Sequence, residues 1–323
     1  MPKSFNLMQE VTTSVGFPFT DDFSDYIRIV SDGPIIPGLF QGAVPQGMAY
    51  NSPEDRLLIS HYMFDGRPSC ISVISMEKCK HINTFWLLNP DGSPHRDHVG
   101  GLAVNSTHLF IASEKGVNII SLQNLKSLAK NKEIQIEQYV PTEVKASFAT
   151  YNDNILWVGE FTSTDGSYRA AESHHVSISP REINHGWMAG YVLRDNSNIV
   201  QNLAYPDYLL SIPPEVQGAV FTGNKIILSR SYGRRNNSRL TVYEDPRTSE
   251  PDRTIVLNGR ELPLWILKNS KILKEITVPP MSEAIALYRD SPILLYESGA
   301  DNYRTTTTYA KYRIDILENI FRD

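Results

Sequence analysis

The sequence predicts an all-β chain folded as a single β-propeller over residues 1–323, with five blades of four antiparallel strands and the last blade closed by an N-terminal strand. Three observations predict it. A strand rich in Gly and Ala, a polar turn and an aliphatic strand recur five times, with heads at Gln46, Gly100, Ser147, Gln217 and Glu283 spaced by 54, 47, 70 and 66 residues. A third strand follows each hairpin, and a fourth follows four of the five. No Gly/Ser/Pro-rich linker interrupts the series, which argues against two domains.

The hairpins read QGMAYNSPEDRLLISHY, GGLAVNSTHLFIASEK, SFATYNDNILWVGEF, QGAVFTGNKIILSRSY and EAIALYRDSPILLYES. Small residues in the first strand suit a crowded axis, and the continuous Ile/Leu runs of the second suit a strand buried on both faces. Third strands are expected at CISVIS, GVNIISL, GWMAGYVL, SRLTVYE and YAKYRIDIL. Fourth strands are expected at HINTFWLL, IQIEQYV, NIVQNLAY and KEITVPP, and the fifth blade borrows Asp25 to Asp32 (DYIRIVSD) from the N-terminus, which removes open sheet edges. Six blades is the alternative, with a further pair of strands in Ile255–Leu267. SLQNLKSLAKNK (121–132) has helical Leu spacing and reads as a short helix on a blade edge.

With 41% hydrophobic and 21% charged residues, the chain has the composition of a soluble globular protein, and its net charge of −5 argues against nucleic acid or an anionic membrane as partner. No apolar run is long enough to span a bilayer and no secretory leader is evident, so a cytoplasmic protein is expected, or a secreted one if a leader has been removed. Cys70 and Cys79 fit no metal or redox motif and read as free thiols.

In a blade the first and second strands are antiparallel, so first-strand heads and second-strand ends meet on one face of the disc. The heads are Gln46, Gly100 (with His98 two residues before), Ser147, Gln217 and Glu283, and the ends are His61, Glu114, Glu160, Arg230 and Glu297. The longest loop on that face, 162–185, is polar and irregular, fitting either a lid over the axial funnel or a surface excursion. Glu283, followed only by Ala and aliphatic residues, is expected to be desolvated and suited to proton transfer, with His98 as its acid–base partner. Gln46, Gln217, Arg230, Tyr232, His61, Glu160 and Glu297 are the candidate substrate-binding residues. Glu297 would form a carboxyl pair with Glu283, and Arg230 with Tyr232 would hold an anionic group.

At the level of the repeat the chain resembles the broad group of propellers that includes gluconolactonase, senescence-marker-protein, paraoxonase and strictosidine-synthase-like proteins. SEAIAL (282–287) is similar to the inner-strand motif whose Glu binds calcium in the gluconolactonase family, so the resemblance implies calcium on Glu283. The family's Asn and Asp partners have no counterpart at the other heads, which carry Gln, His, Ser and Gln. Five-bladed glycosidases share the blade count, but their axial carboxylates would fall on Gln46, Gly100 and Ser147.

No GxGxxG, Walker A, HExxH or EF-hand motif is present, and no cofactor other than calcium is implied. The reading that follows is a small-molecule enzyme of redox-neutral acid–base type, a hydrolase, lyase or cyclase, with its site in the axial funnel. The alternative is a non-catalytic propeller that binds a ligand or a protein partner.

Overall fold

The computed structural model describes residues 5–6, 21–127, 133–194 and 198–321. Five antiparallel sheets stand in a ring, and their innermost strands are Ala43–Asn51, Gly101–Val104, Phe148–Asn152, Val216–Thr222 and Ser282–Tyr288. Each inner strand pairs with the aliphatic strand after it, in registers such as Phe148 opposite Gly159 and Ser282 opposite Tyr296. Blades I to V are numbered from Ala43.

Five clusters of buried apolar side chains fill the gaps between neighbouring blades. Ala49, Leu58 and Ile71 of blade I meet Leu102 and Leu109 of blade II, and Ala284, Ile293 and Leu295 of blade V meet Met48, Leu57 and Ile59 of blade I. Each second strand is therefore covered on both faces, the physical reason for its unbroken Ile/Leu character. At the axis the backbones touch. A Cβ on Gly100 would lie 2.2 Å from the Ser147 carbonyl oxygen, and one on Gly47 would lie 2.6 Å from the Gly101 carbonyl carbon. The Gly-Gly at 100–101 thus answers to the closest approach of two inner strands.

The ring closes where Val30–Ile35 pairs antiparallel with Arg313–Leu317 as the outer strand of blade V. The expected closing strand began at Asp25, but Ser24–Ile29 is an α-helix. Phe23 and Tyr26, three residues apart, are both buried against blades IV and V, a helical spacing that outweighs the β-branched residues beside it. Tyr26 Oη donates to Asp315 Oδ2, and Lys311 Nζ reaches Asp315 Oδ1 at 2.7 Å and Tyr26 Oη at 2.9 Å. Asp315 is 0% exposed. Burial pushes its carboxyl up, while the Lys311 ammonium and the Tyr26 hydroxyl hold it down.

Two other outer strands differ from expectation. NIVQNLAY forms a helical turn at Ile199–Asn202, because Ile199 and Leu203, four apart, are the buried pair, and the fourth strand of blade III is Tyr208–Ile212. IQIEQYV is split: Gln138–Pro141 completes blade II, while Glu133–Gln135 pairs in parallel with blade I. The strands sensed in 255–267 exist as a hairpin, Arg253–Leu257 with Arg260–Ile266, but it joins blade III in parallel with Tyr208–Ile212 and does not build a sixth blade. The edge helix spans Leu122–Ser127, and the rest of its predicted length lies outside the described residues. Cys70 and Cys79 are free.

Replacing Asp315 by Ala leaves Lys311 partly buried without its carboxylate, and is expected to lower the unfolding free energy by about 3–5 kcal/mol. Arg28→Ala, which removes an exposed ion pair to Asp25 on the same helix, is expected to cost less than about 1 kcal/mol. Urea denaturation of the two variants checks the contrast.

Candidate functional site

On the face where first strands begin, a cavity of about 1230 Å³ opens on the axis. Its walls come from all five inner-strand heads, from the loops joining one blade to the next, and from the loops between second and third strands. Gln46, His98, Gln217, Tyr232, Glu160, Glu283 and Glu297 all line it.

The heads are aimed by β-bulges. Pairing skips between Pro45 and Met48, between Val216 and Gly218, and between Ser282 and Ile285, and these breaks contain Gln46, Gln217 and Glu283. A bulge frees a residue from ladder alternation and turns its side chain. Serines tie the bulged strands to their neighbours: Ser60 Oγ accepts from Gly47 N at 2.8 Å and donates to Val99 O at 2.7 Å, and Ser229 and Ser282 hydroxyls meet at 2.9 Å.

Glu283 is 3% exposed and shares a hydrogen bond with Glu297, which is half-buried. Burial, followed by the charge of Glu297, pushes the Glu283 carboxyl well above the usual range. Burial also pushes Glu297 up, to about 7, against the pull of hydrogen bonds from Gln46 and Glu283 and of the Arg234 charge. The two carboxyls titrate together, and Glu283, the more deeply buried, is the one held protonated at neutral pH. Gln46 Nε2 donates to Glu297 Oε2 at 3.1 Å and to its neighbour Pro45 O at 2.9 Å.

Beside the pair, the Tyr62 and Tyr303 hydroxyls lie 2.6 Å apart, and Arg234 stacks over the Tyr303 ring at 4.8 Å. Burial raises both phenols, which stay protonated. His98 is exposed to the cavity and meets Tyr62 edge-on, with ring centroids 5.0 Å apart. The protein around it and the Lys145 charge push its pKa down, so the imidazole is neutral at pH 7.

The 162–185 loop forms one wall, contributing Tyr168, Arg169 and His174 to the lining. Glu160 holds it down: its carboxylate accepts from Trp187 N at 2.9 Å and Lys145 N at 3.1 Å, and His174 Nδ1 lies 2.9 Å from Oε2 while the imidazole stacks on Trp187 at 3.9 Å. Tyr232 Oη donates to Asp165 Oδ2 of the same loop at 2.8 Å, and Phe161, Tyr168 and Tyr232 form an aromatic trio at 5.2–6.3 Å.

His61 and Arg230, expected at the funnel, are placed elsewhere. Both sit inside second strands, Arg56–Met63 and Lys225–Arg230, where successive side chains face opposite ways. Ser60 and Tyr62 face one way and His61 the other, where it is 0% exposed, meets Ser72 Oγ at 2.6 Å and is pushed by burial to a pKa of about 3. Arg230 does not reach the funnel lining: it donates from Nε to Pro214 O at 3.2 Å and lines, with Ser231, a second cavity of about 490 Å³. Glu160 and Glu297 escape this rule because their strands, Ile155–Gly159 and Ser291–Tyr296, end one residue earlier. Tyr62, Tyr303 and His174 were not singled out by sequence. The usable signal was that every loop between second and third strands shares the mouth face, not the longest alone.

The residues beside Glu283 do not fit a calcium ion. Calcium takes six to eight oxygen ligands. Here only Glu297 and the Gln46 amide stand beside Glu283, and among the described residues no three His, Cys, Asp or Glu side chains are grouped to hold a metal.

No model of a known protein family matches the chain, and no curated protein matches its sequence. Among solved structures it is similar to a GH43_1 enzyme from Xanthomonas citri complexed with xylose, at 10% identity and TM-score 0.48 over 92% of this chain and 93% of the other. It is also similar to a luciferin-regenerating enzyme, at 9% identity and TM-score 0.46 over 90% and 95%. A glutaminyl cyclase from Myxococcus xanthus matches at 11% identity and TM-score 0.42 over 90% and 94%. Among the described residues no helix is long and apolar enough to cross a membrane.

His174→Ala removes a donor from buried Glu160 and is expected to lower stability by about 1.5–3 kcal/mol. Limited proteolysis should then cut within 162–185 faster than in the wild type; unchanged cleavage would show that the latch does not hold the loop.

Proposed function

We propose that the chain is a small-molecule enzyme of redox-neutral acid–base type, a hydrolase, lyase or cyclase, acting in the axial funnel. The observation that carries this reading is the Glu283–Glu297 pair. Two carboxyls buried side by side, with Glu283 protonated and Glu297 titrating at about 7, provide a base and an acid at the same pH. Structural needs do not account for them, since a second carboxyl raises the cost of burying the first.

Each group has a role set by its surroundings. Glu297, the more exposed of the two, is the base that meets substrate, while Glu283 lies beneath and stores the proton. Gln46 orients the Glu297 carboxylate through its 3.1 Å hydrogen bond. Neutral His98 across the cavity is the second proton-transfer group, and the protonated Tyr62 and Tyr303 phenols supply hydrogen bonds to substrate oxygen. Gln217 and Tyr232 bind from the wall. A cavity of about 1230 Å³ accommodates a small molecule, which favours this reading over a docking platform with a filled axis.

The test is turnover of a panel of esters, lactones, amides and glycosides by the wild type, Glu297→Gln and Glu283→Gln. Both variants are expected to lose about 10²–10⁴-fold in kcat while keeping the wild-type fold by circular dichroism. The wild-type rate should fall as pH drops through about 7, because protonating Glu297 removes the base. Turnover that survives both substitutions would place the chemistry elsewhere.

A further inference from the structure

Some arginines and lysines elsewhere in the molecule pair with carboxylates, as Arg67 does with Asp65, Arg247 with Asp245 and Lys311 with Asp315. Those at the funnel do not. Arg96, Lys115, Lys145, Arg169 and Arg234 all line it, and among the described residues none of the five has a carboxylate within ion-pair distance. They come from separate loops of blades I to IV, so no single loop's composition explains the set.

Carboxylates are present in the same cavity but are engaged otherwise. Glu160 is taken up by two backbone N–H groups and His174, and Glu143 accepts from Asn258 Nδ2 at 3.2 Å. Glu114, the exception, is exposed at the lining and forms no ion pair with the five cations. Glu283 and Glu297 are occupied with each other. The cavity is thus lined by five basic side chains and five carboxyl groups that do not form ion pairs with one another among the described residues. Arg234 is fixed on the Tyr303 ring and hydrogen-bonded from Nη1 to Thr306 Oγ1 at 3.4 Å, and Lys145 lines the same cavity as His98; the Lys145 charge lowers the pKa of His98 and the Arg234 charge that of Glu297. An arginine held flat on an aromatic ring keeps its edge donors free for a planar or tetrahedral oxyanion.

We infer that the funnel's ligand carries an anionic oxyacid group, a carboxylate or a phosphate, which Arg234 and Lys145 hold beside the Glu283–Glu297 pair. This substrate class rests on the function proposed above for its catalytic meaning, whereas anion binding itself does not require turnover. The charge arrangement also gives direction: the anionic end goes to the cations, and the neutral, reacting part of the molecule faces the carboxyl pair.

Calorimetric titration of the full chain at constant ionic strength, with inorganic phosphate and separately with malonate, tests it. Saturable binding of one equivalent of at least one anion is expected, and whichever binds identifies the oxyacid. Arg234→Gln and Lys145→Gln should each weaken it about tenfold or more, and Arg28→Gln, on the distant N-terminal helix, should not. Glu297→Gln should keep the anion site, so that a failed catalytic reading and a failed anion site give different results. Absence of binding for both anions, or binding unchanged in the Arg234 and Lys145 variants, overturns the inference.

Discussion

The contact of inner strands at the axis is the constraint on which the rest depends. Five strands whose backbones approach as closely as Gly47 to Gly101 and Gly100 to Ser147 leave no room for side chains between them. Polar groups at the strand heads are therefore pushed to the mouth, and the bulges at Gln46, Gln217 and Glu283 decide where they aim. The same closeness demands that the ring be complete, since an open ring would expose two apolar blade faces and two sheet edges. The strand Val30–Ile35 and the Tyr26–Asp315–Lys311 cluster meet that demand in blade V.

Chemistry then follows from what the closed ring buries. Glu283 reaches the axis from a bulge and Glu297 from the first residue beyond the paired strand, so one blade delivers two carboxyls to one point. Low dielectric raises both, and the charge of Glu297 raises Glu283 further. Around this acidic floor the loops supply the opposite charge, together with tyrosines whose burial keeps them neutral. Glu160 shows that a carboxylate at the equivalent position can take a different role: provided with three hydrogen-bond donors, it fixes a loop.

The blade pattern was legible in the sequence because burial on both faces writes an unmistakable contrast between Gly/Ala first strands and Ile/Leu second strands. Outer strands were harder, since their residues are only partly covered. NIVQNLAY and DYIRIVSD carry β-branched residues, yet the positions that meet the core, Ile199 with Leu203 and Phe23 with Tyr26, fall at helical spacing. At the site, first-strand heads could be read by alignment, and Gln46, Gln217 and Glu283 reach the cavity. Second-strand ends could not be read so well, because one residue decides whether alternation still applies: His61 and Arg230 lie within their strands and miss the funnel lining, while Glu160 and Glu297 lie just beyond. Tyr303 and Arg234 belong to loops with no repeat, and only folding shows that they meet.

The central claim is that Glu283 keeps its proton at neutral pH beside Glu297 at the funnel floor. Infrared difference spectroscopy across neutral pH observes it directly, through the carbonyl stretch of a protonated glutamic acid. The account predicts such a band at pH 7 in the wild type and its loss in Glu283→Gln. A wild-type spectrum in which every glutamate is ionised at pH 7 would contradict it.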